Sequence, residues 1–293
     1  MSPRHPPYDG LALHRFAQEA VDAGVEWLAG EGAGREWTRR RFKPSGEEVT
    51  AADVEVERRM TRILLDRTPE IPVIGEESAP VEREGVDWPP LCWLLDPVDG
   101  TMNFTRGAPG YAVSLACVVD GTPVLGVVHA PALGRRWSTR AGGGAAADGR
   151  GEGGGGGTYG CGGGAEAGGS GDARYLSGGG GLARAVVGLT GTGSGRPRAA
   201  RLIGRLYESA YRIRLQGAMS LDLVGVAEGW LDACVCLGPS PWDVAAGVAL
   251  VRERGGVVLG EGGRAFTLRS SVLAAGAEPV ARELIALWES LDG

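Results

Sequence analysis

The stretch Trp93-Leu94-Leu95-Asp96-Pro97-Val98-Asp99-Gly100-Thr101 reads as an apolar strand running straight into two carboxylates, Asp96 and Asp99. Pro97 removes a backbone donor and stiffens the turn. Gly100 lets the backbone approach a ligand, and Thr101 opens a helical turn. Magnesium seeks hard oxygen ligands in octahedral geometry. Two carboxylates and the Val98 carbonyl between them supply such ligands on one tight turn. The amides that follow, at a helix start, suit a phosphate. An isolated Asp-x-x-Asp is more often a solvated β-turn. The strand before this one and the Gly-Thr after it weigh against that reading.

Three further acids stand in comparable places. Glu76, followed by Glu77, comes directly after a short apolar run and a glycine. Taken alone, the pair fits a charged strand end equally well. Asp243 lies in Pro241-Trp242-Asp243-Val244-Ala245-Ala246-Gly247, in the first turn of an otherwise apolar helix. An acid there also complements the helix dipole. Asp53 occupies the capping-box position behind Thr50, so a helix start accounts for it as well as chemistry does.

The composition narrows the functions available. The chain has 293 residues and a net charge of −6, which argues against binding to a nucleic-acid backbone and against a polybasic membrane surface. Lys43 is the only lysine and follows Phe42, so no Walker-type Gly-Lys phosphate loop exists. With three histidines, His5, His14 and His129, a histidine triad or zinc site is disfavoured. The five cysteines include no Cys-x-x-Cys and fit reduced thiols in a cytoplasmic protein. The N-terminal residues carry no signal-peptide pattern, and no apolar run is long enough to span a bilayer.

Apolar spacing predicts helices over 11–29 and 50–67, then strands over 71–75, 91–95, 112–119 and 124–130. Asp120-Gly121 marks a hairpin between the last two. Of 52 glycines, 25 fall between residues 142 and 195. The densest part, 151–171, has almost no large apolar side chain and is expected to be a flexible insertion. Beyond it, strands are expected over 184–190, 212–216, 231–236, 257–259 and 271–275, and helices over 198–211, 220–228, 241–254 and 279–291. This alternation predicts an α+β first half, 1–183, holding the metal-binding residues, and an α/β second half, 184–293.

In combination, four blocks resemble the inositol monophosphatase family of metal-dependent, lithium-sensitive sugar phosphatases. They are Val49-Thr50-Ala51-Ala52-Asp53, Gly75-Glu76-Glu77-Ser78, Asp96-Pro97-Val98-Asp99-Gly100-Thr101 and Trp242-Asp243-Val244-Ala245-Ala246-Gly247. The resemblance implies a layered α/β/α/β/α sandwich. It also implies a phosphomonoesterase that uses two or three Mg²⁺ ions, acts on a small phosphorylated polyol or sugar, and commonly forms a homodimer. Metal ligands would fall on Glu76, Asp96, the Val98 carbonyl, Asp99 and Asp243. Glu76 and Thr101 would orient the attacking water, with Asp53 behind Thr101. The amides of Gly100 and Thr101 would bind the phosphate, Gly217, Ala218 and Met219 would contact ring hydroxyls, and Val98, Asp99, Cys236 and Asp243 would complete the substrate site. One departure stands out: where inositol-phosphate-preferring members usually carry a glutamate, this chain has Cys236. A thiol is a weak acceptor, so either another residue makes that contact or the substrate is not inositol phosphate. Within the superfamily the alternatives are a histidinol-phosphate or a 3′-phosphoadenosine phosphatase. A non-catalytic relative that binds a phosphorylated metabolite would be expected to have lost a ligand or Thr101, and all are present.

Overall fold

The structure, a computed structural model, describes residues 9–43, 46, 48–79, 88–149, 180–191 and 196–291. The glycine-rich segment 151–171 lies outside the described residues. The architecture follows from the alternation of side chains along one strand. In β4 (Leu91–Asp99), Trp93 and Leu95 enter one hydrophobic cluster, while Cys92 and Leu94 enter another on the opposite face. A strand with apolar residues on both faces must be covered on both sides.

The first cover is a pair of helices, α1 (Gly10–Ala29) and α2 (Ala51–Arg67), whose stripes of Leu13, Ala17, Val21, Val56, Met60 and Leu64 are buried together with Trp93 and Leu95. Before α2, β1 (Arg41–Phe42) and β2 (Glu48–Val49) pair as a short antiparallel ribbon. The strand β3 (Val73–Gly75) lies parallel to β4 at one edge of a six-stranded sheet. After the single turn α3 (Thr101–Phe104), the antiparallel strands β5 (Ala112–Val119), β6 (Thr122–Ala130), β7 (Arg135–Arg140) and β8 (Ala145–Gly149) complete that sheet.

The second sheet has the order β10-β9-β11-β13-β12. Its strands are β9 (Val186–Thr190), β10 (Arg212–Arg214), β11 (Ala233–Leu237), β12 (Val257–Leu259) and β13 (Val272–Gly276). The helices α5 (Met219–Ala227) and α6 (Pro241–Glu253) are buried in the same cluster as residues from both sheets. The outer helices α4 (Arg196–Ser209) and α7 (Glu278–Glu289) cover the far face of the second sheet. The result is the expected five-layer sandwich. The middle layer is mostly apolar, as helices buried between two sheets are, with Asp222 and Asp243 as its buried or site-facing acids.

Some elements differ from expectation. β4 does not stop at Leu95 but carries both acids, with a register shift between Asp96 and Asp99 against β5. Proline within the shift donates no ladder bond, so the strand bulges there. Within the α/β second half the sheet is mixed: β9 lies parallel to β10 and β11, and β13 runs antiparallel to both β11 and β12. The turn from β12 to β13 contains no crossover helix of the length a parallel return needs. The ribbon β1–β2 and the strands β7 and β8 were not read from the sequence.

One glycine sets how closely the middle layer approaches the first sheet. A Cβ on Gly126 of β6 would sit 2.5 Å from the Ala246 carbonyl oxygen and 2.8 Å from its Cα in α6. Gly126→Val is therefore expected to force strand and helix apart and cost about 1–3 kcal/mol. A domain of this size loses about 2–4 °C of Tm per kcal/mol. Thermal melting of the variant checks this, and an unchanged Tm would show that the layers are free to separate.

Candidate active site

The parallel pairing of β3 with β4 puts Gly75 opposite Leu95, so the residues that follow, Glu76 and Asp96, emerge side by side. The Glu76 amide donates to the Leu95 carbonyl at 3.0 Å and fixes that turn. Gly75 is needed there, because a methyl group would run into the buried Glu57 carboxylate. That carboxylate in turn accepts from the Glu77 amide at 2.8 Å. The third acid arrives from the middle layer. Asp243 is the third residue of α6, where its carboxylate accepts from the Ser240 amide at 2.9 Å in a capping box. One oxygen from each of Glu76, Asp96 and Asp243 lies within 4.8 Å of the other two. All three are hard oxygen donors, and together they match what a divalent cation such as Mg²⁺ seeks.

Their electrostatics argue the same way. Asp96 is 2% exposed. Burial first, and then the charges of Glu76, Asp99 and Asp243, hold its carboxyl well above the usual carboxylate range. Lys43, between β1 and β2, donates to both Glu76 and Glu77 at 2.7 Å. Burial opposes its charge, but the two glutamates keep the ammonium well above its ordinary range. Burial pushes Glu77 up to about 7 despite Lys43. A single ammonium beside this many carboxylates leaves room for a cation to balance them.

Asp99 lies outside the triplet but lines the same cavity. Its two oxygens accept from the Met219 and Ser220 amides, at 3.1 and 2.7 Å. It thereby caps α5, whose own N-cap, Ala218, has no side-chain acceptor. Burial nonetheless pushes Asp99 up to about 7. The turn between the two aspartates is closed by the Val98 amide donating to Asp96 at 3.0 Å. Gly100 follows at φ +91°, and a Cβ there would lie 2.8 Å from the Gly110 carbonyl oxygen.

The Thr101 hydroxyl has two acceptors at 3.0 Å, Asp53 Oδ1 and the Val98 carbonyl. The other oxygen of Asp53 accepts from the Thr50 amide at 2.8 Å and from the Thr50 hydroxyl at 2.5 Å. The choice between a helix cap and a partner for Thr101 is therefore resolved as both, one oxygen for each. Asp53 is 1% exposed, and burial raises its pKa.

These residues surround a cavity of about 350 Å³ lined by Glu76, Asp96, Val98, Asp99, Gly100, Thr101 and Asp243, and on its other sides by Gly217, Met219 and Thr190. Of the remaining expected contacts, Ala218 and Cys236 are fully buried and do not line it. Cys236 lies in β11 in register with Thr190 of β9, and it is Thr190 that reaches the cavity. Thr190, Lys43, Phe42 and Glu48 were missed from the sequence. The available signal for Thr190 was its place at the carboxyl end of a strand in an α/β half, where such folds bind ligands. A larger cavity of about 620 Å³ lies beside α1, with Asp22, His129, Arg136 and Asp148 in its wall. Arg136 pairs there with both Asp22 and Asp148.

In this layered sandwich three carboxylates converge beside the capped starts of α2, α5 and α6, an arrangement with the donor set of a divalent-cation site. The chain belongs to the inositol monophosphatase family, whose profile it matches over residues 13–290. It is 32% identical to the inositol-1-monophosphatase ImpA of Mycolicibacterium smegmatis, over 97% of this chain and 94% of that one. It is 31% identical to the fructose-1,6-bisphosphatase/inositol-1-monophosphatase of Thermotoga maritima, over 70% and 69%. Among solved structures, the IMPase of Thermotoga maritima superposes with a TM-score of 0.75 at 26% identity, covering 94% of this chain and 96% of that one. Among the described residues, no helix is long and apolar enough to cross a membrane.

Proposed function

We propose that this chain is a Mg²⁺-dependent phosphomonoesterase acting on a small phosphorylated polyol or sugar. The observation that carries the reading is the Glu76–Asp96–Asp243 triplet beside the Thr101–Asp53 pair. Family membership and the names of the relatives support it. Glu76, Asp96, the Val98 carbonyl, Asp99 and Asp243 would hold two or three ions. When bound, the ions neutralise the phosphate and supply the Lewis acidity that makes water nucleophilic at neutral pH.

The protein's own groups set the geometry. Thr101 donates its hydrogen bond to Asp53 and turns a lone pair toward the attacking water. Glu76, anchored on the Leu95 carbonyl through its amide, accepts a proton from that water. The amides of Gly100 and Thr101, at the opening of α3, orient the phosphate. Gly217 and Met219 face the organic part. On this reading residues 1–183 form the metal-binding half, and 184–293 complete the site through Asp243 and α5. We place the enzyme in the cytoplasm as a homodimer.

The test is phosphate release by the purified protein from a panel of phosphomonoesters, with Mg²⁺ and with EDTA. The panel includes inositol 1-phosphate, histidinol phosphate, 3′-phosphoadenosine phosphates and an aryl phosphate. Mg²⁺-dependent release from at least one polyol or sugar phosphate is expected. No release from any compound, or release untouched by EDTA, would overturn the reading.

A further inference from the structure

A buried carboxylate beside the cavity takes no part in the machinery above. Asp222, in α5, is fully buried. Its Oδ2 accepts from the Thr190 hydroxyl at 2.5 Å and its Oδ1 from Gln216 Nε2 at 2.7 Å. β9 is built to admit it: a Cβ on Gly188 would lie 3.0 Å from Asp222 Oδ1. Gly188 and Thr190 share one face of the strand, so the first makes room for the carboxylate and the second binds it. Immediately after Thr190 the backbone turns at Gly191, with φ +86°. A methyl group there would approach Met219 Cε to 2.6 Å, so the turn that delivers Thr190 to the cavity is tightly packed.

The chemistry of this arrangement is directional. Burial pushes the Asp222 carboxyl up to about 6, which leaves it ionised, and an acceptor only, in a neutral or alkaline assay. A threonine hydroxyl has one proton and two lone pairs. With the proton held by Asp222, Thr190 presents lone pairs alone to the cavity it lines. Cys236, its register partner, is buried and offers nothing there.

We propose that Thr190 is a specificity-determining residue that accepts a hydrogen bond from a hydroxyl on the organic part of a phosphorylated polyol, and that Asp222 is its positioning residue. The proposal rests on the phosphatase reading and assigns the substrate class to a residue outside the metal centre. An ester without a hydroxyl near the phosphorylated carbon gains nothing from Thr190.

The experiment compares kcat and KM for inositol 1-phosphate and p-nitrophenyl phosphate, with Mg²⁺, in the wild type, Thr190→Val, Thr190→Ser and Asp222→Asn. Loss of one neutral hydrogen bond in Thr190→Val raises KM for inositol 1-phosphate about 3- to 10-fold, with kcat and the aryl ester unchanged. Thr190→Ser keeps the wild-type ratio, and Asp222→Asn shifts it in the same direction as Thr190→Val. Should Thr190→Val not fold, Thr190→Cys preserves the volume with a weak acceptor and gives the same selective rise. A parallel loss on both substrates, the mark of a clamp that only holds α5 to β9, overturns the proposal. So does no loss on either, or a wild type that cleaves the aryl ester but not inositol 1-phosphate. A wild type inactive on both refutes the phosphatase reading instead.

Discussion

Replacing Asp96 with asparagine lowers phosphate release by at least about 100-fold, the scale of losing one preorganised electrostatic group, while the metal-free protein melts no lower than the wild type. Both halves of this expectation come from the same burial. Asp96 is shut away from solvent among Glu76, Asp99 and Asp243, so its carboxyl titrates above its unfolded value. For a carboxyl raised in this way, ionisation costs the folded state stability at every pH above the unfolded value, and the cost fades as falling pH protonates the group. Asparagine keeps the shape and removes the charge, which removes that cost at neutral pH. It also removes one oxygen anion from the triplet, so Mg²⁺ raises Tm less than in the wild type. Turnover together with melting curves in EDTA and in Mg²⁺ checks the claim. Near-wild-type turnover, or an undiminished Mg²⁺ shift, would sink it.

Thr101→Val is expected to cost a further class of activity without touching the metal. Valine matches threonine in shape but can neither donate to Asp53 nor accept from the water that Glu76 deprotonates, and positioned proton transfer is worth about 100- to 10,000-fold. The Mg²⁺-induced rise in Tm should persist, because Thr101 is not part of the carboxylate triplet. Asp53→Asn separates the two duties of that residue. Its Oδ1 serves Thr101, and its Oδ2 serves the Thr50 amide and hydroxyl at the start of α2. The variant should therefore lose activity, while relief of a buried charge offsets the weakened cap and Tm changes little. In the double mutant, Thr101→Val should add little on top of Asp53→Asn, as expected for residues acting as one unit. Fully additive losses in kcat would show that the hydroxyl and the carboxylate work separately.

Much of this site was legible before any coordinates. The Asp96–Thr101 turn, Glu76 after its strand and Asp243 in its first helical turn are each signalled locally, by a change from apolar to acidic at an element's end. What joins them is not local. That Glu76 stands beside Asp96 follows from β3 lying parallel to β4, which no spacing between residues 75 and 95 encodes. Asp99 as the cap of α5 was equally invisible, because its partners are 120 residues further along the chain. Lys43 served only to exclude a Walker-type loop, since a lone lysine carries no periodic signal. The strands β7 and β8 escaped because the half-buried arginines of β7 and the largely exposed alanines of β8 give weak alternation. Cys236 drew notice from its place in a motif, yet a motif does not say which residue of a neighbouring strand reaches the cavity. There the register of β9 against β11 decides, and it selects Thr190.

Asp99 already ties the start of α5 to the site, and two further helix starts have a consequence for how such a protein can change over generations. Asp53 and Asp243 are each the third residue of a helix closed by a capping box, and each also faces the chemistry, directly or through Thr101. A lineage drifting away from either acid loses a sound helix and a working centre in the same step. No neutral intermediate keeps one while exploring the other. Glu76, Thr101 and Thr190 are free of that coupling, so the site has two kinds of position. Some can wander when the substrate changes, whereas others are pinned by folding even if catalysis were no longer under selection.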